Sequence, residues 1–153
     1  MPRDGKRKNA SEKSQAERYA GELAKKVLDK LCKEKVFPKR SRWIIAKKIA
    51  DLTVDFHSSV HKANGIKVVT QGERDERHKA QTLALANLSA LDAELNLAMD
   101  VLSINPDDLG DIAELEKTCE RVIQGWINSE IKRYGPPTRI KLLEAEAIEG
   151  DSR

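Results

Sequence analysis

Apolar side chains return every three or four residues along most of this chain, and four stretches hold that rhythm long enough to predict amphipathic helices. In the first, from about Ser11 to Glu34, the stripe is Ala16, Ala20, Leu23, Val27 and Leu31, with Ser11 and Ser14 as candidate caps. Phe37-Pro38 interrupts it. The second is predicted to start under a Ser41 cap, carries Ile45, Ile49, Leu52, Phe56, Val60 and Ala63, and stops at Asn64-Gly65, where glycine offers a left-handed helix end. The third spans about Gln71 to Ser103, with Ala84, Leu88, Leu91, Leu95, Ala98 and Leu102 as its seam. Its opening, QGERDERHKA, has no apolar anchor and is expected to project beyond the packed part or to start late.

Asn105-Pro106 turns the chain into the fourth helix, whose start carries Asp107, Asp108 and Asp111, where the helix dipole favours negative charge. Ile112, Leu115, Cys119, Val122 and Trp126 form its stripe, Lys132 and Arg133 its basic end, and Gly135-Pro136-Pro137 its stop. Four helices with short connections predict an all-α, antiparallel up-down-up-down bundle over residues 11–135, with crossings of roughly 20°. Residues 1–10 read as a disordered basic arm, with Arg3, Lys6, Arg7 and Lys8 as extra anion contacts, and residues 136–153 as a flexible tail that becomes helical on contact.

Charge changes the picture. The net charge of +3 conceals a first half, residues 1–81, at +10 and a second half at −7. Ten of the basic residues fall between Lys25 and Lys48, against only Asp29 and Glu34. Such a stripe suits an anionic partner, above all a phosphate backbone, and it equally suits a solvated helix face or attraction between copies of the chain. No apolar run reaches the roughly 18 residues of a membrane span and no secretory signal is visible, which predicts a cytoplasmic protein without a membrane partner.

Catalytic chemistry finds little support. No glycine-rich phosphate loop follows a strand, and no serine or cysteine sits in a nucleophile motif, so a non-enzymatic protein without a cofactor is expected. Cys32 and Cys119 fall on or beside apolar stripes and read as buried thiols. His57 and His61, one turn apart, lack an evident third ligand, and read as boundary packing in preference to a metal pair. Trp126 falls on the core rhythm, whereas Trp43 is suited to packing, an oligomer contact or base stacking.

FPKRSRWIIAKKI at 37–49, SSVHKANG at 58–65 and ERVIQGWINSEIKRYG at 120–135 resemble the accessory variability determinant of diversity-generating retroelements. This is a four-helix-bundle family that also includes proteins encoded in ribosomal RNA intervening sequences. The resemblance covers roughly residues 14–135. It implies a ring-like homopentamer that binds RNA or DNA with little sequence preference and associates with the element's reverse transcriptase, supporting mutagenic cDNA synthesis during retrohoming. Lys39, Arg40 and Arg42 match the family's basic turn, and Lys132 and Arg133 the basic end of its fourth helix; Lys47 and Lys48 extend the stripe. With Lys25, Lys26, Lys30 and Lys33 from the charge pattern, these are the expected nucleic-acid contacts. The chain departs from the family in its mild overall charge and in the acidic tail residues Glu144, Glu146, Glu149 and Asp151. The other reading is a structural scaffold whose charge asymmetry drives assembly without nucleic acid.

Overall fold

The computed structural model describes the backbone of residues 3–151 and the side chains of 12–138 and 141–151. The described backbone is helical with no strand: α1 spans Arg3–Leu31, α2 Lys47–Gly65, α3 Gln71–Leu102, α4 Gly110–Tyr134 and α5 Thr138–Asp151. α1 packs on α2 and α4, and α3 does the same, so the first four helices close around a common interior. Every expected stripe position of α2 is buried, as are Ala84, Leu88, Leu91, Leu95 and Ala98 of α3, and Ile112, Cys119 and Trp126 of α4. Ile123 and Ile127 widen the α4 stripe.

Two sets of contacts fix which helix ends meet. Lys26 near the end of α1 bridges Asp111 in the first turn of α4, and Glu12 accepts a hydrogen bond from Ser129 near the end of α4. Arg77 at the start of α3 reaches the Ala63 carbonyl at the end of α2 and Glu130 at the end of α4. One end of the bundle therefore gathers the early turns of α1 and α3 with the late turns of α2 and α4.

Several local expectations need correction. Helical backbone begins at Arg3, ahead of Ser11, where a disordered arm was expected; the side chains of Arg3, Lys6, Arg7, Lys8 and Ser11 lie outside the described residues. The tail is likewise helical from Thr138, held at its first residue by Asp75, which accepts from the Thr138 backbone N–H at 3.0 Å and hydroxyl at 2.6 Å. Those bonds, the hydroxyl first, hold the Asp75 carboxyl down to about 2. Gly65 remains helical and Ile66 leaves in an extended conformation, so no left-handed glycine closes α2. At the end of α4 Gly135 does take a positive φ of 79°, and its N–H caps the Ile131 carbonyl at 2.8 Å.

The largest departure is the opening of α3. QGERDERHKA is packed, with Arg74 and Arg77 1% and 2% exposed and Gln81 fully buried. Arg77 replaces an apolar anchor with bonds: Nε to Ala63 O at 3.1 Å, Nη1 to Glu130 Oε1 at 2.8 Å, and Nη2 to Ile66 O. The indole of Trp126 donates to the same Glu130 oxygen at 3.1 Å. A buried ion pair adds little net stability when intact, but losing one partner strands a charge at a cost of about 3–5 kcal/mol.

Candidate nucleic-acid interface

The basic run is shaped by the link between α1 and α2. Val36 and Phe37 are buried and anchor it to the core. Pro38 then starts a 3₁₀ turn, Lys39–Ser41, in which both the backbone N–H and the hydroxyl of Ser41 donate to Pro38 O, at 2.8 and 2.7 Å. Ser41 is thus a buried pin for the turn and does not cap the next helix. A wide π-helical turn, Arg42–Ala46, follows before α2 proper. With Ser41 turned inward and Ile45 and Ala46 buried, Lys39, Arg40, Arg42, Trp43 and Ile44 all face solvent; Trp43 is 88% exposed and Ile44 75%.

Lys25, Lys26 and Lys33 of the α1 side and Lys47 and Lys48 of α2 are exposed, and Lys30 is half-buried. Four of the expected contacts have local acidic partners: Lys26 with Asp111 at 3.8 Å, Lys33 with Asp29 at 3.1 Å, Lys39 with Glu34 at 3.3 Å and Lys47 with Asp51 at 3.7 Å. Among the described residues no ion pair engages Lys25, Lys30, Arg40, Arg42 or Lys48. Exposed pairs of this kind exchange readily, so they temper the local field without cancelling it. Beside the arginines a mostly apolar groove of about 650 Å³ runs between Leu28, Leu31, Cys32, Trp43 and Ala46. Cys32 is exposed there, correcting the expectation of a buried thiol, whereas burial pushes the Cys119 thiol up to about 12. Packing is excluded for Trp43, and Trp126 is core.

No family model matches the sequence, and no curated protein or solved structure does either.

Lys132 and Arg133 are exposed but do not join this surface. They occupy the last turn of α4, while Lys26 meets its first turn at Asp111, so about 30 Å of helix separates the two groups. What Arg133 does meet was not evident from spacing. Lys13 of α1 and Lys67 of the α2–α3 link lie with it around a separate pocket at the opposite end of the bundle. Three residues from three segments leave no local motif.

The histidine pair is a boundary feature. The His57 and His61 rings pack tilted by 57° with centroids 4.5 Å apart, His61 Nδ1 faces Glu17 Oε1 at 3.3 Å, and burial, then the neighbouring His61, lowers the His57 pKa while Glu17 opposes them. No cluster of three metal-ligating side chains occurs among the described residues, and no helix is long and apolar enough to cross a membrane.

Proposed function

We propose that this chain is a non-enzymatic nucleic-acid-binding accessory factor that associates with the reverse transcriptase of a diversity-generating retroelement and supports mutagenic cDNA synthesis in the cytoplasm. The observation that carries the nucleic-acid part is the exposed link at one end of the bundle, where Arg40 and Arg42 precede the exposed Trp43 and, like Lys25, Lys30 and Lys48 of the adjoining helices, have no ion pair among the described residues. Cations track a phosphate backbone while an exposed indole stacks on unpaired bases, a combination suited to single strands and indifferent to sequence. The reverse transcriptase and a ring-like homopentamer rest on the sequence resemblance, and the up-down-up-down topology on four helices with short connections.

The test is fluorescence anisotropy of a single-stranded RNA across a salt series, where each neutralised phosphate contributes about −0.7 to the slope of log affinity against log salt. Replacing Arg40, Arg42 and Lys48 together by Gln should flatten the slope by about 2 and weaken all sequences alike. An unchanged slope overturns the assignment of these residues. A scaffolding reading has its own observation, the exposure of Trp43 and Ile44 beside an apolar groove; it is favoured if the chain ignores RNA at low salt and self-associates through that face.

A further inference from the structure

The end of the bundle away from the basic run carries a pocket of about 290 Å³, near the lower limit for small-ligand sites. Its walls hold four cationic side chains, Lys13, Lys67, Arg77 and Arg133, and no carboxylate. Arg77 is spent on Ala63, Glu130 and Ile66 behind the wall, leaving Lys13, Lys67 and Arg133 to face the opening. Crowding of like charge is felt at Lys13, whose pKa is lowered by burial first, then by Arg77 and Arg133, with Glu130 opposing.

A second cavity of about 190 Å³ adjoins it across Val68 and Tyr134, and Arg74 lines it. Arg74 is buried, yet the only hydrogen bond of its side chain among the described residues is a long one of 3.5 Å to Gly135 O, and its Nε and Nη1 have no partner. Burial lowers its pKa as well, against the pull of Glu130 and Asp75. Glu130 already serves Arg77 and Trp126, and Asp75 is bonded to Thr138. Two buried guanidinium groups thus share one buried carboxylate, and a buried guanidinium with idle donors is costly unless an anion arrives.

The geometry points to a site for a phosphomonoester at this end of the bundle, held by Lys13, Lys67 and Arg133, with Arg74 supplying positive charge from the adjoining cavity. A monoester fits better than a backbone diester because its second negative charge answers the surplus of cations, and planar guanidinium and ammonium donors converge on its free oxygens. The same chemistry is presented by a free mononucleotide and by the phosphorylated end of a nucleic acid.

Calorimetric titration of the full chain with a mononucleotide, and with matched oligonucleotides ending in 5′-phosphate or 5′-hydroxyl, tests the assignment. Lys67→Ser/Arg133→Ser, two exposed positions, is the main variant, checked for an unchanged melting temperature. An end site predicts that the phosphorylated oligonucleotide binds about tenfold tighter than its hydroxyl twin, the advantage vanishing in the variant. A free-nucleotide site predicts mononucleotide binding lost in the variant, without end discrimination. Either result supports the pocket. Equal weakening of both oligonucleotides by the variant overturns it and makes these cations ordinary backbone contacts, and no phosphate-dependent heat with any ligand overturns it outright. Since Arg40, Arg42 and Lys48 are untouched, failure here leaves the proposed function standing.

Discussion

Glu116 shows how one residue sets a pH response. It is 7% exposed, its Oε2 has no partner, and it borders a cavity of about 310 Å³ that also receives Asp92, Glu120 and Lys117. Burial, then Asp92, raises its pKa from 4.5 to about 8. Below pH 4.5 folded and unfolded chains are both protonated there. Between about 4.5 and 8 the unfolded chain releases the proton first, so stability drains away across that window and levels off above it. Glu116→Gln keeps the shape of the protonated acid and removes the effect. Urea denaturation should find the variant close to the parent at pH 4.5 and about 1–3 kcal/mol more stable at pH 8.5. Equal differences at the two pH values would contradict a buried neutral Glu116.

Among the elements, α3 has the best-defined start. Thr70 Oγ1 accepts from the Glu73 backbone N–H at 3.5 Å and donates to Glu73 Oε1 at 3.0 Å, while Glu73 Oε2 accepts the Val69 N–H at 3.3 Å. This reciprocal cap fixes the first turn whose Arg74 and Arg77 then enter the interior. Thr70→Ala should lower unfolding free energy by about 1 kcal/mol, and adding Glu73→Ala should cost less than the sum of the single changes, because the two side chains form one device. Additive losses in chemical denaturation would argue against it. Thr-x-x-Glu at 70–73 spells this cap in the sequence, but no apolar rhythm follows it to mark a buried first turn. Apolar stripes were legible through α2, from Ala84 on in α3 and in part of α4, where Ile123 and Ile127 widen the face, since removal from water dictates which side turns inward. The packing of Arg74, Arg77 and Gln81 was not, because a buried guanidinium is licensed by partners more than fifty residues away, as Glu130 is to Arg77. The basic surface was partly legible in the same way: Lys25 to Lys48 read as one charged run, but only the fold separates paired lysines from unpaired ones and places Arg133, at the end of α4, away from them.

Across the whole molecule α5 stands apart. Every described side chain from 141 to 151 is exposed, including Leu142, Leu143 and Ile148 at 56–71%. Among the described residues, the Asp75–Thr138 contact ties its first residue to the bundle, just after the buried Pro137. Leu142→Ser, Leu143→Ser and Ile148→Ser should therefore each shift the unfolding free energy of the bundle by no more than about 0.5 kcal/mol, as surface changes do. A larger loss in urea melts would mean that α5 supports the core. Acidic residues outnumber basic ones in this helix four to two, and its first residue lies at the end of the bundle opposite the basic link.

The π turn at Arg42–Ala46 has a geometric implication for how that basic face arises. A wide turn is equivalent to one inserted residue, and in helical phase one residue is about 100°. Residues ahead of the turn are rotated by that angle relative to an uninterrupted helix, and within the turn Arg42, Trp43 and Ile44 face outward while Ile45 and Ala46 stay inside. The identity of the surface is thus encoded in angular offset as well as in composition: a single-residue deletion within this turn would leave the lysine and arginine count nearly intact and still swing the display toward the core.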